Sequence, residues 1–480
     1  MEREGLIPVH LLLATAAKVL CSAVFLTGRD AAEALCHSAF HALQVHHLPD
    51  VFLPLVEVEI DRAAAQVTLR IRLDAANAER IVTGYRDHYP GLEGDWKHEE
   101  RRLHLLGTIA RTARFLGDQG SVILRRGDDR LFFTPRPIVS GLPDSGTQPW
   151  PMGDHHDTKP NPAIGRALTT ALADAEACTV AVVVLHRDAI VGEAYAEGFG
   201  TDSQLESWSM GKSLTATLVG RLIQDGLLSL DQPAPIAGWG HPDDPRRAIT
   251  VRDLLQMSSG LRFSGHHDPR GAWPGYVPDH FYIYTEAIDV FDFALSRPAE
   301  FAPQTIGRYR NCDPLSLGYI VKQIVTGQMG RDYLAWPQEA LFDRIGIRRQ
   351  VLETDLYGNF ILTGFDYGTA RNWGRLGLLY LRDGIWQGKR LLPEGWSRFV
   401  STPAPAWDQP VYGGQFWLNR TREWDLPEDA YMMAGSGQQR VFIVPSLDLV
   451  VVRMGHVCAH GIAARSINAM LREITGALGA

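Results

Sequence analysis

Two hydrophobic rhythms alternate along the chain and divide it into elements. Leu214, Leu218, Leu222 and Ile223 recur at helical spacing and give one apolar face to a helix that begins near Ser209. Ala163 to Ala175, Ile249 to Met257, Tyr282 to Leu295, Ala370 to Asp383, Glu394 to Val400 and Ile462 to Ile474 read as further helices, with another from about Pro314. Strand-like runs are different. Thr179 to His186 and Ala189 to Ala196 flank Arg187-Asp188, a two-residue hairpin signal. Arg440 to Val444 and Leu449 to Arg453 form a second hairpin pattern, and Gly414 to Asn419 is a shorter candidate strand. Nearer the start, Val51 to Leu73 holds two branched-residue runs and Ser121 to Phe133 another, while Ala75 to Arg86 and Arg101 to Phe115 look mixed or helical.

From Arg136 to Pro162 the pattern lapses into a stretch dense in Pro, Gly and Asp, which is linker chemistry. A boundary there separates an N-terminal mixed α/β extension (1–150) from a larger domain (151–480). In the latter, strands near both ends with helices between them predict one mixed sheet assembled from distant parts of the chain.

Leu6 to Leu26 is apolar enough for a signal peptide or membrane anchor, but His10 and Lys18 interrupt it and Glu2-Arg3-Glu4 precede it. The expectation is an amphipathic helix packed on the body of the protein, with no stable membrane insertion and a cytoplasmic location favoured over a periplasmic or secreted one. Net charge over 480 residues is −8, with no basic run, which argues against a nucleic-acid partner. The five cysteines are scattered, without C-x-x-C spacing, and read as free thiols.

Three stretches carry candidate chemistry. The first is Ser209-Met210-Gly211-Lys212. Positions three apart share a helix face, so the Lys212 amine can reach the Ser209 hydroxyl. Burial near a helix start lowers an amine's pKa until it can take the serine proton, and free backbone N–H groups there suit an oxyanion. Of the six lysines, only Lys212 has a serine three residues before it. The plainer alternative is a helix cap at Ser207 or Ser209 with a solvated Lys212. The second stretch is Tyr309-Arg310-Asn311. Its tyrosine can share proton transfer, and its asparagine can bind a substrate carbonyl or amide. Tyr357-Gly358-Asn359 has the same spacing but lacks the Phe301-Ala302-Pro303 lead and the helix directly after. The third is Ala434-Gly435-Ser436-Gly437-Gln438-Gln439, small residues before a strand that would let its edge lie against a substrate. For each, a buried tyrosine or an ordinary glycine turn is the bland reading.

Taken in this order, the stretches resemble the serine β-lactamase and penicillin-binding-protein superfamily, and more closely its class-C-like esterase and 6-aminohexanoate-oligomer hydrolase branch. Ile249 to Leu261, Thr369 to Trp373 and Leu391 to Trp396 are similar to other stretches of that family, and Ala16 to Arg29 more loosely to the N-terminal region of the hydrolase branch. The resemblance covers about Pro162 to Ala480. It implies an α+β fold (α/β by some schemes): a five-stranded antiparallel sheet with flanking helices beside an all-helical subdomain. It also implies an acyl-enzyme mechanism, with Ser209 as nucleophile, Lys212 and Tyr309 managing its proton, and the backbone N–H groups of Ser209 and Gln439 as the oxyanion hole. Asn311, Gly435, Ser436 and Gly437 would bind the substrate. One departure is that Ser436 or Gly435 stands where the family carries a lysine or histidine, and Gln438 where a second glycine is usual. That favours small esters or amides over β-lactams or peptidoglycan peptides. Phe263 to His280, with Trp273, Tyr276, Tyr282 and Tyr284, is the expected specificity wall.

No cofactor or metal is expected; the partner is a small ester or amide, with a homodimer left open. Two other enzyme readings compete. An α/β-hydrolase would use Ser209 with His456 or His460, though the first glycine of G-x-S-x-G is missing. A metal hydrolase would use His155-His156-Asp157 or His266-His267-Asp268. From another class, a ligand-binding or sensor protein would keep this fold without turnover.

Overall fold

The computed structural model describes residues 8–40, 48–88, 96–157, 159–265, 277–456 and 460–479. They fall into two units. Met1–Pro135, Phe263–Phe293 and Thr354–Gly358 make the first; Arg136–Arg262, Ala294–Glu353 and Asn359–Ala480 make the second. Two short excursions of the later chain therefore belong with the N-terminal unit.

The first unit is an antiparallel sheet of β1 (Val56–Asp61), β2 (Gln66–Leu73), β3 (Gly107–Phe115) and β4 (Ser121–Ile123), in sequential order. Val67, Leu69, Ile71 and Leu73 alternate along β2 and are all buried, as a half-covered sheet requires. Against it packs α1 (Val9–Ser22). This helix is buried at nearly every position rather than along one face, which differs from the amphipathic expectation. It has the sheet on one side, and the Thr15 hydroxyl donates to the Tyr284 carbonyl at 3.0 Å on another, so no solvent-facing stripe is left. Lys18 is accommodated by donating to the Ser121 carbonyl, and Ser22 by bonding the Ser121 hydroxyl at 2.8 Å. The run Val9–Thr27 is long and apolar enough to cross a membrane, with a mean hydropathy of 2.0, and 89% of it is buried within the fold.

Two strand expectations shorten in this unit, and a stretch read as mixed or helical resolves into one of each. The run from Val51 begins inside a helical turn, Leu48–Phe52, and becomes strand only at Val56. The stretch 101–115 splits into the end of a helix (Trp96–Leu105) and β3, at Gly107, whose φ of 66° no helix continues through. Beyond Ile123 the chain leaves the ladder, apart from a bridge between Arg125 and Asp128 around a turn.

The second unit is an α+β arrangement. Its main strands are β5 (Thr179–His186), β6 (Ala189–Tyr195), β7 (Leu205–Glu206), β8 (Val351–Leu352), β9 (Asp366–Gly368), β10 (Trp417–Leu418), β11 (Tyr431–Gly435), β12 (Gln439–Val444) and β13 (Leu449–Gly455). The large antiparallel sheet runs β10-β11-β12-β13-β5-β6, five long strands and a two-residue edge; β7-β9-β8 form a small second sheet. β13 pairs with β5, so the chain's late hairpin closes on its early one. Arg187 and Asp188 take φ of 51° and 65°, the left-handed pair that a two-residue hairpin turn needs. The helices Pro162–Ala173 and His460–Ala477 cover one face, and Ala370–Leu381 packs on strands of the same sheet through its own apolar side. Gly377 sits where a Cβ would press on Val441 and Val450, so this helix lies close to the sheet. The helices Met210–Gln224, Val251–Leu255 and Cys312–Gln323 pack together beside it. Tyr282 to Leu295 is two short helices, Asp279–Thr285 and Val290–Leu295, not one.

Candidate active site

Ser209 precedes the first turn of the helix Met210–Gln224, but its side chain caps nothing. The Ser207 hydroxyl donates to the Trp208 carbonyl at 3.2 Å, and Lys212 is 1% exposed, so the helix-cap alternative with a solvated lysine does not hold. Trp208 takes a φ of 50°, an uncommon backbone for a bulky residue directly before the serine. The small sheet fixes this turn from behind. Glu206 pairs with Tyr367, and the Ser207 N–H donates to the Asp366 carbonyl at 2.9 Å.

The Lys212 amine lies 3.0 Å from the Ser209 hydroxyl oxygen and donates to the Thr363 carbonyl at 2.7 Å. Burial holds it well below the ordinary amine range, and the Asp366 carboxyl opposes that by favouring the ammonium. The amine also sits 4.7 Å from the Tyr309 ring centre. The Ser209 hydroxyl is close enough to the Tyr309 phenol to favour its ionised form. Burial raises the phenol above its usual range, against the pull of that hydroxyl and of the Arg440 guanidinium. The phenol therefore keeps its proton at neutral pH, and the amine is the group fit to accept one.

What seats Tyr309 is the turn after Val251–Leu255. Thr250 and Asp253 form a reciprocal capping box at that helix start. Beyond it, the Gln304 N–H donates to the Ser258 carbonyl at 2.9 Å and the Arg308 N–H to the Met257 carbonyl at 3.2 Å. Arg310, wholly buried, donates to the carbonyls of Leu261 at 2.7 Å and Ile306 at 3.0 Å. Gly260, at φ 78°, leaves no room for a Cβ against the Phe301 carbonyl. Asn311 follows as the N-cap residue of Cys312–Gln323 and is fully buried. The rival Tyr357 instead stacks on Phe132 at 4.6 Å, and Asn359 accepts from Lys322 at 2.6 Å.

The end of β11 closes the other side. A Cβ on Gly435 would overlap the Ser207 carbonyl and come 3.1 Å from the Ser209 nitrogen, so only glycine lets this strand lie along the serine turn. Among the described residues the Ser209 N–H has no backbone acceptor. Ser436 and Gly437 form the turn into β12, with Gly437 and Gln438 at φ of 71° and 61°. The Gln439 side chain faces away into the sheet, where its Oε1 accepts from the Gly455 N–H at 2.8 Å.

Several site residues gave no signal in the sequence. Thr363 and Asp366 come from an irregular stretch. Arg440 faces Tyr309 from β12; burial lowers its guanidinium to about 10, and it bonds the carbonyls of Gly435 and Gln439 at 2.9 and 2.8 Å. Tyr412 and Trp417 lie 6.1 and 5.5 Å from the Tyr309 ring, with Trp407 stacked on Tyr412 at 4.7 Å. These aromatics wall the tyrosine. Of the expected wall, Trp273 and Tyr276 lie outside the described residues, as do His266 and His267, while Tyr282 and Tyr284 group with the first unit. His456 stacks edge-on to Phe199 at 5.9 Å; the His460 side chain lies outside the described ones. His156 sits 3.7 Å from Glu193 and 3.4 Å from Arg371, and His155 pairs with Asp157 in the open.

A serine hydroxyl, a buried amine of lowered pKa 3.0 Å from it, and a tyrosine ring 4.7 Å from that amine thus meet in one place. A family model described as Beta-lactamase matches residues 164–456, more than half of the chain. The chain belongs to the β-lactamase family. The 6-aminohexanoate-dimer hydrolase of Paenarthrobacter ureafaciens is 24% identical to it over 321 residues, 60% of this chain and 76% of that one. Among solved structures, a penicillin-binding-protein homologue from Caulobacter crescentus superposes with a TM-score of 0.50 at 14% identity, covering 67% of this chain and all (100%) of that one. A family VIII carboxylesterase superposes equally, at 0.50 and 14%, covering 66% and 99%. The protein is thus a β-lactamase-family hydrolase. The second unit holds every residue of the constellation.

Proposed function

We propose that this β-lactamase-family domain is a serine hydrolase acting on small esters or amides through an acyl-enzyme. The observation that carries the reading is the buried Lys212 amine 3.0 Å from the Ser209 hydroxyl. Oγ of Ser209 bonds to the substrate carbonyl carbon as its proton passes to the neutral amine. The carbonyl electrons collect on an oxygen held by the Ser209 N–H and the backbone N–H of Gln439. When the carbonyl re-forms, the alcohol or amine leaves with a proton handed from the Lys212 ammonium through the Tyr309 hydroxyl. Water then repeats the sequence and frees the acid. Ser436 and Gly437 are the substrate-side surface, with the buried Asn311 and Gly435 supporting it from behind.

The preference for esters and small amides follows from the turn after β11. It offers Ser436 and no free cation, because the Arg440 guanidinium already serves two carbonyls. A substrate carboxylate thus has one fewer partner. The test is a panel of short-chain aryl esters, small amides and a chromogenic cephalosporin, run on the wild type and Ser209→Ala, with a serine-directed phosphonate as label. Ester turnover and labelling, both lost in a folded Ser209→Ala protein, are expected. An unlabelled, inactive wild type would return the chain to the ligand-binding reading.

A further inference from the structure

One buried carboxyl group beside the serine turn has no part in those steps. Asp366 opens β9 and is 1% exposed. Neither carboxyl oxygen has a hydrogen-bond partner among the described residues. The Ser207 hydroxyl is close enough to favour the carboxylate, but its proton points at the Trp208 carbonyl. Such a group is costly to bury, so its surroundings have to justify it.

They lead to the catalytic amine. Asp366 Oδ1 stands against the first turn of the helix Met210–Gln224, where a Cβ on Gly211 would overlap it. The middle of the Ser209-to-Lys212 motif must therefore be glycine because this carboxyl fills the space. The charged groups that act on Asp366 are Lys212 from that helix and Glu353, the residue after β8, itself 1% exposed. Burial raises Asp366 to about 7; Lys212 pulls it down and Glu353 pushes it up. Reciprocally, Asp366 is the charge that opposes the lowering of Lys212.

We propose that Asp366 is a positioning residue of this site: set against the serine turn, its carboxyl group governs how readily the Lys212 amine stands free to take the Ser209 proton. While Asp366 holds its own proton, the amine has no negative neighbour and gives up its proton more readily. When Asp366 ionises, it favours the ammonium, so the two groups titrate as a coupled pair. Thr363 and Tyr309 orient the amine; Asp366 adjusts its charge.

This rests on the serine-hydrolase reading, and the experiment separates the two. The pH dependence of kcat/KM on a short-chain aryl ester, and of Ser209 labelling by the phosphonate, is measured for the wild type, Asp366→Asn and Glu353→Gln. Asp366→Asn removes the charge that favours the ammonium, so its acid limb moves to lower pH, by about half a unit or more. Glu353→Gln removes the charge that keeps Asp366 protonated, so its acid limb moves to higher pH. General loosening of the site would not produce opposite signs. If Asp366→Asn does not fold, the upward shift in Glu353→Gln alone decides. Superimposed acid limbs, or shifts in the same direction, overturn the inference while leaving a labelled, active Ser209 intact. An unlabelled and inactive wild type overturns the underlying reading instead.

Discussion

The Lys212 amine donates to the carbonyl oxygen of Thr363, 151 residues further along the chain, at 2.7 Å. A neutral amine has two N–H bonds and one lone pair. Giving an N–H to Thr363 helps turn the lone pair toward Ser209, 3.0 Å away. Lys212→Met keeps the bulk and removes the base. Ester turnover should fall by about a thousandfold or more, with the thermal transition retained. Lys212→Arg should not rescue it, because a guanidinium stays charged. Parallel kinetics and circular dichroism check both variants.

Wild-type activity should rise with pH. Burial holds the Lys212 amine well below the ordinary 10.5, so the fraction able to accept a proton grows through a midpoint under that value. For a base with a lowered pKa, the charged form is the one the fold disfavours. Stability should therefore decline as pH falls from about 10.5 toward the folded pKa, where the unfolded amine is charged and the buried one is not, and level off below it, while the rate falls through the folded pKa itself. Rate profiles and melting curves on the same buffers report both; a flat rate through neutral pH would count against the amine as base.

Tyr309→Phe separates proton delivery from attack. The phenol keeps its proton, so its loss should hurt substrates with a poor leaving group most. A drop of about a hundredfold is expected for amides, and a smaller one for nitrophenyl esters, whose leaving group needs little help. The ratio of the two rates across wild type and variant is the measurement.

Gly435→Ala would push a methyl group into the Ser207 carbonyl and toward the Ser209 nitrogen. The strand end must retreat from the serine turn. Activity should be lost with a destabilisation of about 1–3 kcal/mol, read by urea unfolding.

Arg310→Met tests the mount of Tyr309. The buried guanidinium supports the carbonyls of Leu261, Ile306 and Arg308 and lies 4.0 Å from Asp313. Removing it strands Asp313, which burial already raises to about 6, so a loss of about 3–5 kcal/mol is expected. Asp313→Asn in the same background should recover part of it, measurable as a rise in melting temperature.

Particular residues show how far the chain could be read in one dimension. Lys212 follows Ser209 by one helical turn, so their meeting needs only a helix. The turn at Arg187-Asp188 is likewise local and stands as expected. The strand Tyr431–Gly435 went unrecognised because its residues, YMMAG, have no alternation; it is an interior strand buried on both faces at nearly every position. Val51 to Phe52 has strand-forming residues yet lies in a helical turn, since packing outweighs so weak a preference.

Short-range spacing by itself put Ser209 and Lys212 one helical turn apart and set out the strands and helices that repeat a clear period. Tertiary structure alone decided that Thr363 would orient the amine, that Asp366 would press on Gly211, that Arg440 would face the phenol, and that Trp407, Tyr412 and Trp417 would surround it. Burial is the physical reason. The charge state of Lys212, Asp366 and Tyr309 depends on how much water the whole fold excludes, and that is a property of no segment read alone.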